Sequence, residues 1–142
     1  MFAEQAKQYG FKSFPVDSLT ISHDTYRPTR EGFDLGFEIS ASDNIRLIWA
    51  YLTALLELAR KFDTNHLGLL IFDEPRQQAA KDVSFAELLK RASDSKIFHQ
   101  QVIFATSEPK QQLEKSLAGK EFAMFHFGEF IIARYTDEPT EP

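Results

Sequence analysis

Apolar and polar positions change period several times along the chain, and each change marks an element. Across residues 43–61, Ile45, Ile48, Trp49, Leu52, Leu55, Leu56 and Ala59 recur at spacings of three and four, the stripe of an amphipathic helix. Ser42 or Asp43 is available as its cap. Residues 67–72 drop that period for a continuous run, Leu67-Gly68-Leu69-Leu70-Ile71-Phe72, the pattern of a strand buried on both faces of a parallel sheet. Residues 101–106 read as a second buried strand. Ser84-Phe85-Ala86-Glu87 has the form of a capping box, and Phe85, Leu88, Leu89 and Ala92 make one face of the short helix it opens.

The flanks are less regular. Residues 1–9 are helix-compatible and Gly10 supplies a helix C-terminus. Residues 19–21 and 33–39 read as an antiparallel pair joined by a loop rich in Thr, Pro, Arg and Gly. After Pro109, residues 110–117 form a helix that Gly119 stops, and residues 122–127 with 130–135 read as a hairpin around Gly128. The order β-β-α-β-α-β-α-β-β implies one α/β unit of parallel strands flanked by helices, with antiparallel hairpin additions. Residues 136–142 read as a flexible tail.

Composition narrows the picture further. A length of 142 residues is one domain's worth, with 43% hydrophobic and 26% charged residues as in a soluble globular chain. A formal charge of −5 argues against this piece being the main docking surface for a nucleic-acid backbone. The absence of cysteine excludes disulfides and thiolate metal sites and suits a reducing cytosol, so a cytoplasmic location is expected. No apolar run approaches membrane-spanning length, so no membrane partner is expected. Fourteen phenylalanines stand against one tryptophan, and Phe33, Phe37, Phe72, Phe104, Phe125, Phe127 and Phe130 are expected in the core. The four histidines lack metal-ligand spacing.

Chemistry concentrates where the 67–72 run ends in Asp73-Glu74-Pro75. Two carboxylates at the carboxyl end of a parallel strand stand where open α/β sheets bind ligands. They suit metal-assisted phosphoryl transfer, with Asp73 on Mg²⁺ and Glu74 orienting or deprotonating a water. The plainer alternative is that acidic residues and proline merely end a core strand. The same tripeptide recurs at Asp137-Glu138-Pro139, with no apolar run leading directly into it, and there reads as solvated. Before the long helix, Ser40-Ala41-Ser42-Asp43 forms a turn of small polar residues that is either a phosphate site at a helix N-terminus or an ordinary N-cap. Arg46 and Arg76 lie nearest these segments. Each either reaches a phosphate or is a solvated surface charge.

This order of parts resembles the C-terminal nucleotide-binding lobe of the ABC ATPases of the SMC type, which include RecF-like and RecN-like DNA-repair proteins. The likeness spans roughly residues 10–135. In that family a coiled-coil helix precedes two strands, a Leu-Ser-Gly-Gly-Glu signature opening a helix, a Walker B strand, a D-loop and a switch strand. Residues 1–10 would be the end of the coiled-coil helix and 11–135 the lobe. The resemblance makes Asp73 the magnesium carboxylate, Glu74 the catalytic base, and Ser40, Ala41, Ser42 and Asp43 the nucleotide-binding signature. Ser107 falls at the switch position, where the family has a histidine; it otherwise reads as a cap of the helix after Pro109. Both signature glycines are replaced, by Ala41 and Ser42, and the D-loop aspartate position holds Ala80.

A P-loop of the form Gly-x-x-x-x-Gly-Lys-Ser/Thr is absent from the chain, so nothing here cradles β- and γ-phosphates. The resemblance therefore implies half of an ATP- and Mg²⁺-dependent site, inactive alone. An N-terminal P-loop lobe of the same protein and a second copy in an ATP-dependent dimer would complete it, with any DNA contact mainly elsewhere. Two other readings stand beside this one: a non-catalytic assembly module that keeps the fold, and a free-standing small α/β binding protein.

Overall fold

The structure, a computed structural model, describes residues 1–35, 39–76 and 82–127, the side chains of Asp82 and Val83 excepted. It is a mixed α/β arrangement holding a small parallel sheet of two strands and an antiparallel sheet of three. Helix α1 (Phe2–Gln8) ends at Tyr9, and Gly10, at φ 81°, takes the left-handed position that follows a helix. The antiparallel sheet is β1 (Leu19–Ile21), β2 (Pro28–Arg30) and β3 (Phe33–Asp34). The expected direct pairing of 19–21 with 33–39 is thus corrected. Strand β2, hidden in the Thr/Pro/Arg-rich stretch, lies between the other two, with Leu19 opposite Arg30 and Arg30 opposite Phe33.

Helix α2 (Ala41–Leu58) starts two residues before the expected 43 and stops three short of 61. Its cap is Ser40, not Ser42 or Asp43: the Ser40 hydroxyl accepts from the Asp43 backbone N–H at 3.2 Å. The stripe is only partly core. Trp49, Leu47, Ala50 and Leu56 are buried and Leu52 is half-buried, whereas Ile48 is exposed. Helix α3 (Asp82–Asp94) begins ahead of Ser84, so Ser84 lies within the helix and is not its cap. Helix α4 (Lys110–Ser116) follows Pro109, which caps it without a side-chain bond.

Strands β4 (Leu69–Asp73) and β5 (Gln101–Ala105) pair in parallel, in register from Leu69 opposite Gln101 to Asp73 opposite Ala105. One face of this sheet packs inward. Phe72 stacks on Phe104 at 5.3 Å between centroids, Phe104 meets Phe85 edge-on at 6.2 Å, Phe85 meets Trp49 at 6.2 Å and Trp49 meets Tyr9 at 6.0 Å. This aromatic chain runs from the sheet through α3 and α2 to α1. A hydroxyl network sits beside it, with Thr53 bonded to Tyr9 Oη at 3.1 Å and to Gln5 Oε1 at 2.7 Å.

The other face corrects the expectation of a strand buried on both sides. Leu69, Ile71 and Ile103 point outward, Ile71 with 62% of its surface exposed. The run reads as doubly buried in sequence because outward-facing positions also carry branched apolar residues, while among the described residues the chain covers only the inner face. The phenylalanine expectation divides likewise. Phe72 and Phe104 join or line the core, but Phe33 is 77% and Phe125 83% exposed and Phe127 is exposed too. Residues 121–127 form no strand, which corrects the first arm of the expected hairpin. Its second arm, Phe37, Phe130 and the Asp137-Glu138-Pro139 tripeptide lie outside the described residues. Among the described residues no helix is long and apolar enough to cross a membrane.

Candidate functional site

Parallel pairing brings the carboxyl ends of β4 and β5 side by side, and with them Asp73, Glu74 and Ser107. The Glu74 N–H donates to Ala105 O at 2.8 Å, the last rung of the ladder. Glu74 then adopts φ 43°, a left-handed conformation unfavourable for a residue with a Cβ. The bend turns its carboxylate across to the segment after β5. Its Oε1 accepts from the Ser107 backbone N–H at 2.7 Å, and its Oε2 lies 3.5 Å from the Thr106 hydroxyl. Ser107 therefore meets Glu74 through its backbone, and it does not cap α4. Asp73 is exposed and Pro75 is buried.

The register explains the next contact as well. Carried past the strand ends, it sets Glu74 beside Thr106 and Arg76 beside Glu108. Arg76 Nη1 donates to Glu108 Oε2 at 3.0 Å, and its guanidinium lies 5.2 Å from the Phe85 ring centre. Arg76 is thus an anchored, half-buried ion-pair member and not a solvated charge.

The turn before α2 is built differently. Asp43 is only 3% exposed. Its Oδ2 accepts from the Lys12 N–H at 3.1 Å and the Ser13 hydroxyl at 2.7 Å, and its Oδ1 from Arg46 Nη1 at 2.6 Å. Arg46 is also buried, and its Nε donates to Ser84 Oγ at 3.3 Å on α3. Burial works to raise the Asp43 carboxyl, but the bonds from Ser13, Arg46 and Lys12 and the Arg46 charge outweigh it and hold it below the usual aspartate value. Ser40 caps the helix and lies 3.2 Å from the Ser42 hydroxyl. Ala41 and Ser42 are the first two residues of α2, and both Ser40 and Ala41 are exposed. The Ser40 to Asp43 segment therefore has exposed small residues at a helix N-terminus, while its one carboxylate is saturated internally.

The two segments connect through α3, whose Ser84 takes the Arg46 bond and whose Phe85 takes the Arg76 guanidinium. Among the described residues no hydrogen bond or ion pair joins Ser40 or Ala41 to Asp73 or Glu74. Asp73 suits Mg²⁺ as a single exposed carboxylate, since that ion keeps several waters and takes phosphate oxygens rather than a full protein cage. Among the described residues no group of three or more acidic or histidine side chains converges to hold a metal alone. Ala80 lies outside the described residues.

Sequence reasoning missed Thr106 and Glu108, the partners of Glu74 and Arg76, and Lys12 and Ser13, the partners of Asp43. The first two were reachable by assuming parallel in-register pairing of the two apolar runs. The others follow only from the loop after α1 folding back on α2. Comparison with protein-family models, curated proteins and solved structures finds no match to this chain.

Proposed function

We propose that this chain is the Walker B and signature half of an SMC-like ATP-hydrolysing site, completed by an N-terminal P-loop lobe and by a second copy, and serving DNA repair or chromosome maintenance. The observation that carries the reading is the convergence of Asp73, Glu74 and Ser107 at the carboxyl ends of two parallel strands, with Glu74 in a strained conformation held by the Ser107 amide. Strain of this kind collects at functional sites, where surrounding bonds over-determine it. In the complete head, Asp73 would hold Mg²⁺, which supplies charge neutralisation at the phosphate oxygens. Glu74 would orient the attacking water and take its proton. Among the described residues one apolar face of β4 and β5 stays uncovered, which supports incompleteness, because parallel strands are ordinarily covered on both sides.

A second reading, a non-catalytic assembly module, is favoured by the saturated Asp43 carboxylate at the signature-like turn. Turnover separates the two. Purified 1–142 is expected to hydrolyse no ATP. In the complete head, Glu74→Gln is expected to lower kcat by about 10²–10⁴-fold, the usual worth of a general base, while ATP binding persists and the ATP-dependent dimer seen by sedimentation increases. Unchanged turnover in Glu74→Gln, or a complete head that never hydrolyses ATP, leaves the assembly reading in its place.

A further inference from the structure

We propose that Arg76 is a positioning residue for Glu74, acting through Glu108 and the backbone of residues 106–108; this rests on the reading of Glu74 as the catalytic base. The contacts run outward from the core. Phe85 is buried against Trp49 and Phe104, and the Arg76 guanidinium lies over its ring, so the cation is fixed on its inner side. On its other side it holds Glu108, both side chains being less than a fifth exposed, at 17% and 16%. The Glu108 N–H in turn donates to the Thr106 hydroxyl at 3.2 Å, closing the turn that contains Ser107. That closure aims the Ser107 N–H at Glu74 Oε1 and brings the Thr106 hydroxyl near Oε2. Arg76 therefore tethers both sides of a loop pair, because it follows β4 on the chain and grips the segment after β5.

The consequence for chemistry lies in which oxygen stays basic. Oε1 is committed to a short bond from the Ser107 amide, whereas Oε2, among the described residues, makes only a contact at the limit of hydrogen bonding. Oε2 is then the oxygen with lone pairs to offer a water, and its direction depends on the turn that Arg76 secures. Without the ion pair, the left-handed Glu74 loses part of what holds it.

The test is amide hydrogen exchange of the ¹⁵N-labelled 142-residue chain at neutral pH, read by NMR at Ser107. Glu74→Gln, which weakens the acceptor of the Ser107 N–H, is expected to raise the Ser107 exchange rate and so marks what the Glu74 bond contributes. Arg76→Met, which keeps apolar contact with Phe85, is expected to raise that rate by about twofold or more with amides in the core unchanged, and the reversed pair Arg76→Glu with Glu108→Arg to restore it, as coupled residues do in a double-mutant cycle. Should Arg76→Met fail to fold, Arg76→Lys, which keeps the charge without the planar fork, carries the same expectation. An unchanged Ser107 rate in the folded variant, or a reversed pair that folds yet exchanges at the raised rate, overturns the proposal. In the complete head, Arg76→Met is expected to lower kcat by about tenfold with KM unchanged, the mark of an interaction used in the transition state. Full kcat in that variant removes the positioning role alone. A head without any ATP turnover removes the catalytic reading of Glu74, while the Ser107 exchange rate still upholds or overturns the tether.

Discussion

Two acidic turns that look alike in sequence are built to opposite ends. At the start of α2, the Asp43 carboxylate is buried and takes bonds from Lys12, Ser13 and Arg46. At the end of β4, Asp73 is exposed and Glu74 is strained, its carboxylate bonded, among the described residues, to the turn after β5. The first arrangement spends its polar groups on joining α1's loop, α2 and α3. The second leaves a carboxylate in water beside a backbone conformation that costs on the order of 1–3 kcal/mol. Stability is therefore expected to reside in the first turn and chemistry in the second.

The largest expected effect on folding is at Asp43. Asp43→Ala leaves Arg46 buried beside Ser84 without its carboxylate, and losing one partner of a buried pair costs about 3–5 kcal/mol, measured by urea unfolding of the 142-residue chain. Acid should act on the same group. Because its folded value lies below the ordinary 3.8, the contribution is complete above that pH and lost as pH falls through the lower folded value. Asp43→Asn should remove this part of the acid dependence. An Asp43 variant as stable as the parent chain would erase the contrast between the turns.

Ser40→Ala is expected to cost about 1 kcal/mol, as for a hydroxyl N-cap, read as a lowered urea midpoint at unchanged slope. A cost of only a few tenths would show that water replaces the cap and that Ser40 belongs with the available residues. The smallest changes are expected at the other turn and its sheet. Asp73→Asn and Ile71→Thr should each stay within about 0.5 kcal/mol, since both side chains are exposed. If Asp73→Asn destabilises the isolated chain as much as Asp43→Ala, the β4 end is structural and its assignment to chemistry fails.

Much of the architecture is legible in the amino-acid sequence. The long helix, the two apolar strands and the helix holding Phe85, Leu88 and Leu89 follow from periodicity, because each must present an apolar face to a core. The ends of these elements were less legible. Ser40 displaced Ser42 and Asp43 as the cap because Asp43 was drawn inward by Arg46 and by the loop after α1, a choice that adjacent residues in sequence do not encode. Strand β2 escaped notice because Pro28-Thr29-Arg30 has the composition of a loop, and it becomes a strand only through pairing with both neighbours.

By itself, the sequence determined that two apolar strands would exist, that one would end in adjacent carboxylates, and that the chain would carry no P-loop. Those are local properties of residue type and spacing. Only the tertiary structure decided that the strands pair in parallel and in register, placing Ser107 on Glu74 and Glu108 on Arg76, and that, among the described residues, one face of the pair stays open. It also decided that Asp43 closes on Arg46 while Asp73 faces water. Which acidic group is buried depends on what packs around it, and burial is what turns a carboxylate into a structural tie or leaves it free for chemistry.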